Sequence, residues 1–158
     1  MTELREILID LPVTITQCAP HVAVSTMLAI IKTESRFNTW AINLNRGHHL
    51  RYSAKSVIQA MAWVDYLEAH NYDFDVGLGQ VNIRNVHKYG YKAREALDPC
   101  INLRIAGQIL QRNYHQARKV SANSKEALYK AISAYNTGNY HSGFHNGYVQ
   151  KVVNNAKT

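Results

Sequence analysis

The residues of this 158-residue chain best suited to acid chemistry are Glu34 and the Ser35 beside it. They follow an apolar run at residues 22–33, Val-Ala-Val-Ser-Thr-Met-Leu-Ala-Ile-Ile-Lys-Thr. If that run is helical, the positions three, four and seven before Glu34 are Ile31, Ile30 and Met27. The carboxyl therefore projects on or beside the greasy face. Burial there disfavours the charged form and raises the pKa. A carboxylic acid that keeps its proton near neutrality is what cleavage of a glycosidic bond requires. The plainer alternative is a helix-end glutamate that reaches water or pairs with Arg36. Two further blocks carry chemistry-bearing groups: Gly77-Leu78-Gly79-Gln80-Val81-Asn82 and Ala134-Tyr135-Asn136-Thr137-Gly138. The glycines allow tight turning and close approach of a ligand to the backbone. The amides of Gln80 and Asn82 offer both donors and acceptors to an acetamido sugar.

Read in order, Glu34-Ser35, Gly77-Leu78-Gly79-Gln80 and Ala134-Tyr135-Asn136-Thr137-Gly138 resemble the motifs of the soluble lytic transglycosylases. These enzymes cut the glycan strands of peptidoglycan. The lead-in Asn71-Tyr72-Asp73-Phe74-Asp75 is most similar to the branch associated with type IV secretion and conjugation systems. The resemblance is strongest over residues 18–150. It implies a mainly α, lysozyme-like single domain over residues 1–158, with a minor β-hairpin allowed. It implies that Glu34 first protonates the oxygen between N-acetylmuramic acid and N-acetylglucosamine. Glu34 then takes the proton of the muramic 6-hydroxyl, which closes a 1,6-anhydro ring. An internal nucleophile gains from high effective molarity and needs no second carboxylate. The implied partners are glycan strands and components of a secretion or conjugation machine, and the implied location is the periplasm. A muramidase-type hydrolase of the same fold and a non-catalytic wall-binding factor remain as alternatives.

The resemblance also implies individual roles. Tyr135 would hold Glu34 or stabilise developing charge, although a core tyrosine with a satisfied hydroxyl reads the same way. Ser35 would orient the acid or the sugar, or simply bond its own helix. Gln80, Asn82 and Asn136 would bind substrate, and Asn136 with Gly138 also reads as a helix stop. Tyr140 and Tyr148 are candidates for stacking on sugar rings. Hydrolysis would call for a second carboxylate. Asp98 reads as a helix cap and Asp65 as a surface residue, which leaves Asp73 and Asp75, where turn bonding is the simpler role. Cys18 and Cys100 are too few and too far apart for a zinc site. They are two buried thiols or one disulfide, and the resemblance favours the disulfide.

Charge and composition narrow the field. The chain has a net charge of +7 and an isoelectric point near 9.5. Its basic residues are scattered, without the clustering that nucleic-acid binding favours, so nucleic acid is not expected as a partner. An anionic polymer such as the cell wall suits that charge as well. No stretch approaches the 18 or so apolar residues of a membrane span, so stable membrane insertion is not expected. The first ten residues are broken by charges and lack signal-peptide features. If the protein is exported, this reads as a mature form with a starting Met. His48-His49 and His141 lack metal-chelating spacing, and no cofactor or metal is expected.

The elements that must position these groups read as mostly helical. Pro20 suits the first turn of a helix ending near Glu34. Residues 38–52 read as loop. Ser53 reads as the cap of a helix through Asn71, with Val57, Ala60, Met61, Val64 and Leu67 at helical spacing. A short helix is expected from Ile83 to before Gly90. Asp98-Pro99 should open a long helix to about Arg118. Ser124 should cap a helix carrying Leu128, Ala131, Ile132 and Tyr135. A last helix is expected over residues 148–156. Short strands fit at 39–51 or 72–81.

Overall fold

A computed structural model describes residues 10–157. The amino-terminal segment read above for signal-peptide features lies, but for Asp10, outside the described residues. The chain is mainly α with a small antiparallel sheet, as a lysozyme-like fold requires. The helices are α1 (Leu11–Cys18), α2 (Val24–Ser35), α3 (Val57–Ala69), α4 (Ile83–Lys88), α5 (Pro99–Arg118), α6 (Ser124–Thr137), α7 (Ser142–His145) and α8 (Tyr148–Ala156). A 3₁₀ helix spans Ala93–Leu97. The strands β1 (Ile42–Leu44), β2 (Phe74–Val76) and β3 (Val81–Asn82) pair in that order. Ile42 faces Val76 and Asp75 faces both Asn43 and Asn82. No described helix is long and apolar enough to cross a membrane.

Helix α2 is the structural centre. Met27, Ile30 and Ile31 are each 0% exposed. Met27 and Ile31 join a cluster with Leu11, Ile15, Phe74, Val76 and Leu103. Ala29 and Ile30 join a second cluster with Leu110, Ile132, Tyr148, Val149 and Val152. One helix thus supplies two cores, and the end of that helix carries Glu34. Helix α5 packs on α1 and α6, while α8 packs on α2. The amphipathic α8 has Tyr148, Val149 and Val152 buried on one face, the spacing of a helix seated on a core.

Several boundaries differ from the sequence expectation. Pro20 sits in a turn between α1 and α2, and α2 begins only at Val24 after an extended Ala23. Cys18 therefore ends a helix instead of preceding one. The cap of α3 is Ser56, not Ser53, because the Ser56 hydroxyl accepts from the Gln59 N–H. Helix α6 is capped by Asn123, one residue before Ser124, through the Glu126 N–H. In each case two neighbouring polar residues compete for one cap, and composition alone does not choose between them. Asp98 caps α5 with Pro99 in its first turn, as read from sequence. β1 falls within the 39–51 window and β2 within 72–81, while β3 begins at the edge of the second window and runs one residue past it.

Cys18 and Cys100 form a disulfide with a Cα–Cα distance of 5.3 Å. It ties the end of α1 to the start of α5 across 82 residues of sequence. Constraining so long a loop stabilises by up to about 4 kcal/mol on the chain-entropy account. Reduction should therefore lower the urea midpoint substantially, and Cys18→Ala/Cys100→Ala should reproduce that shift without reductant. Coincident unfolding curves with and without reductant would contradict this.

Candidate active site

Glu34 occupies the last turn of α2, where the backbone leaves the helix through left-handed Arg36 (φ 52°) and Phe37 (φ 65°). Two successive non-glycine residues in that region are unusual, and such conformations cluster at functional sites. The side chain faces a cleft of about 580 Å³. A smaller cavity of about 270 Å³, lined by Ser35, Asn38, Trp40 and Asn43, opens on the other side of Glu34. Glu34 is thus common to the linings of both spaces.

Burial raises the Glu34 carboxyl to about 7. A hydrogen bond from Tyr148 partly offsets this, and the charge of Asp75 adds to it. The Tyr148 hydroxyl donates to Glu34 Oε2 at 2.5 Å. Burial and the neighbouring Glu34 push the Tyr148 phenol far above its ordinary value, so it remains a donor throughout the accessible pH range. Sequence reasoning assigned a holding role to Tyr135 and only sugar stacking to Tyr148. The motif carries Tyr135, whereas Tyr148 lies 114 residues from Glu34. The only signal for its position was the apolar stripe that seats α8.

Tyr135 lies beside Glu34 in the cleft, but its hydroxyl donates to the Gly79 carbonyl at 2.5 Å. Burial chiefly, then Glu34 and Asp75, raise its pKa. Tyr135 thus closes the glycine turn onto α6. The turn is bracketed from below by Asn102, which is 1% exposed. Asn102 Oδ1 accepts from the Gly79 N–H at 2.8 Å, and Nδ2 donates to the carbonyls of Val76 and Ala96. The turn must be glycine at both places. A Cβ on Gly77 would lie 2.2 Å from Asn102 Nδ2, and its φ is +79°. A Cβ on Gly79 would lie 2.8 Å from the Tyr135 hydroxyl.

The other expected substrate contacts are largely engaged within the protein. Gln80 Nε2 donates to the carbonyls of Ala41 and Gly77, each at 3.0 Å, and its Oε1 accepts from Asn43. Its amide locks the turn to β1. Ser35 donates to Ile31 O within its own helix, the simpler of the two roles read from sequence. Asn82 caps α4 through the Arg84 N–H and donates to the carboxylates of Asp73 and Asp75 at 2.7 and 2.9 Å. Asn136 lines the cleft and accepts from Asn146 at 2.9 Å, while Gly138 ends α6. Tyr140 lies outside the cleft lining.

Asp75, in the middle of β2, lines the same cleft as Glu34. Asn82 and Asn45 donate to its Oδ1. Burial raises its carboxyl, opposed by those two amides. Burial thus raises both carboxyls, opposed by one phenol at Glu34 and by two amides at Asp75.

The raised Glu34 has a definite consequence for stability. Its carboxyl binds a proton in the folded chain between about 4.5 and 7, a range in which the unfolded chain has lost it. This contribution is fully present below about 4.5 and is gone once pH rises past about 7, a difference on the order of 3 kcal/mol. Glu34→Gln should therefore stabilise the protein in urea titrations at pH 8 and have little effect at pH 4.5. An equal effect at both would contradict it. Tyr148→Phe should behave oppositely in its pH bias. It should cost about 1 kcal/mol at acid pH, where the acceptor is neutral, and roughly 2 kcal/mol at pH 8, where the acceptor is charged. A pH-independent loss would contradict the assigned bond.

With this geometry in place, comparison with known proteins is direct. The chain is 40% identical over 146 residues to the type IV secretion system protein virB1 of Brucella abortus, covering 89% of this chain and 61% of that protein. It is 41% identical over 143 residues to the protein virB1 of Rhizobium radiobacter, covering 90% and 59%. It is 39% identical over 136 residues to that of Agrobacterium fabrum, covering 86% and 55%. The chain thus spans about three-fifths of the length of the curated relatives it matches. No solved structure gives a significant match. The transglycosylase SLT domain model matches residues 12–156, and the chain belongs to that family.

Proposed function

We propose that the chain is a peptidoglycan lytic transglycosylase with Glu34 as its acid and base. It cuts the β-1,4 bond between N-acetylmuramic acid and N-acetylglucosamine and leaves a 1,6-anhydro end. The observation that carries this reading is a carboxyl raised to about 7, oriented by Tyr148 and common to the linings of two cavities. At neutral pH such a group is protonated often enough to donate and is basic enough to take a proton back. Protonation of the glycosidic oxygen releases the leaving sugar. The resulting carboxylate then accepts the proton of the 6-hydroxyl as that oxygen bonds the anomeric carbon. No water is consumed, and Glu34 ends as it began. Tyr135 and Asn136 flank the reacting sugar in this reading, while Gln80, Asn82 and Ser35 hold the walls.

The names of the relatives support a reading of partner and location. By likeness to proteins named for type IV secretion, the enzyme opens the wall locally for a secretion or conjugation apparatus and works in the periplasm. A disulfide between Cys18 and Cys100 fits an oxidising compartment.

Asp75 supports a second reading. A carboxylate in the cleft wall could activate water or stabilise the sugar cation, as a hydrolase requires. The products separate the two. Digested sacculi should yield muropeptides with 1,6-anhydro ends, lighter by one water than hydrolysed ends and resistant to borohydride. Glu34→Gln should lower their release by at least about a hundredfold. Borohydride-reducible ends as the main product would favour the hydrolase and assign Asp75 to its chemistry.

A further inference from the structure

The corner between α6 and α8 turns on one side chain. Helix α7 ends at Asn146, and α8 starts after Gly147, whose φ is +83°. Asn146 Oδ1 accepts from the Tyr148 N–H at 2.9 Å, a bond to the backbone two residues on that asparagine favours in turns. Asn146 Nδ2 donates to Asn136 Oδ1, also at 2.9 Å. A backbone N–H can only donate, so it fixes Oδ1 of Asn146 as the acceptor. That leaves Nδ2 as the donor, and Asn136 must meet it with Oδ1. The polarity of one backbone amide thus sets the orientation of two side-chain amides in series. Asn136 lines the cleft, and its Nδ2 has no hydrogen-bond partner among the described residues.

Both ends of this relay reach the chemistry. Asn136 borders the cleft that Glu34 faces, and Tyr148 donates to Glu34 Oε2. We propose that Asn146 is a positioning residue for both. It holds Asn136 with its N–H donors free for an acceptor oxygen of the bound sugar, a hydroxyl or an acetamido carbonyl. It also fixes the start of α8, from which Tyr148 reaches the acid. Asn146 lies outside the cleft lining and acts through its two partners. The inference rests on the wall-cleaving reading and names a side chain that couples sugar binding to the acid. Other bonds fold the corner. Ser133 Oγ accepts from the Gly143 N–H and donates to the Asn139 carbonyl, while Asn139 Oδ1 accepts from the N–H groups of His141 and Ser142.

The test measures kcat and KM on purified glycan strands, together with the Glu34 midpoint by ¹³C titration. Asn146→Asp keeps the acceptor for the Tyr148 N–H but cannot donate, so Asn136 turns its Nδ2 inward and shows Oδ1 to the cleft. KM should rise on the order of three- to tenfold, the scale of one hydrogen bond, with kcat nearly kept. In an Asn136→Ala background the same change should cost nothing further. Asn146→Ala breaks both bonds. It should raise KM as much, lower kcat as well, and move the Glu34 midpoint above about 7, because the Tyr148 bond holds that carboxyl down. Asn146→Asp preserves the turn, so its cycle with Asn136→Ala decides even where Asn146→Ala does not fold. A loss in Asn146→Asp of the same size with and without Asn136 would overturn the inference. So would wild-type kinetics and an unmoved midpoint in Asn146→Ala. A wild type that leaves strands uncut would instead remove the wall-cleaving reading. The midpoint in Asn146→Ala would then decide the placement of Tyr148 without turnover, an unmoved value overturning it.

Discussion

The structure depends on one constraint: a carboxyl group must be held at the edge of an apolar core without being allowed to ionise freely. Desolvation alone would achieve this at a heavy energetic cost, because an isolated buried charge is strongly disfavoured. Here Glu34 sits at the end of α2, just past the fully buried Ile30 and Ile31, and the Tyr148 phenol supplies a polar contact. Tyr148 is buried in the second core cluster and is carried by the first turn of α8. The packing of α8 on α2 therefore serves two ends at once. It completes the hydrophobic core, and it delivers the donor that fixes the acid.

The opposite wall answers to a different demand. A tight turn near a carboxyl must present backbone to a ligand while its own amides and carbonyls stay satisfied. Asn102 meets the Gly79 N–H and the carbonyls of Val76 and Ala96, Tyr135 meets the Gly79 carbonyl, and Gln80 meets those of Ala41 and Gly77. These bonds join α5, α6 and the sheet around one short segment. The polar residues of the Gly-Leu-Gly-Gln block thus act first as scaffold. Shape and exposed backbone, more than free side-chain amides, are what the block offers to a sugar.

Much of this was legible in the chain. The apolar run before Glu34 has a helical period strong enough to place the acid on a buried face, and Asp98-Pro99 marks the start of α5 because cap and proline agree. What was not legible arises from choices that sequence leaves degenerate. Ser53 and Ser56 are both good caps, and so are Asn123 and Ser124. Tyr135 and Tyr148 are both buried phenols near the acid, yet which hydroxyl reaches it depends on how α8 docks. Gln80 and Asn82 carry donors and acceptors suited to a sugar, and only tertiary structure shows those groups bonded to neighbouring carbonyls and carboxylates. Asn102, the bracket of the turn, reads in sequence as one polar residue in an amphipathic helix.

The central claim is that burial, tempered by one tyrosine hydrogen bond, leaves Glu34 half protonated near neutrality. The most direct measurement is a ¹³C NMR titration of the Glu34 side-chain carboxyl in the intact wild-type protein, assigned by its disappearance in Glu34→Gln. The account predicts a midpoint near 7, well separated from the bulk of the glutamates. A midpoint near the ordinary value of 4.5 would mean that water or a cation compensates the charge. The acid-then-base role assigned to this residue would then lose its physical basis.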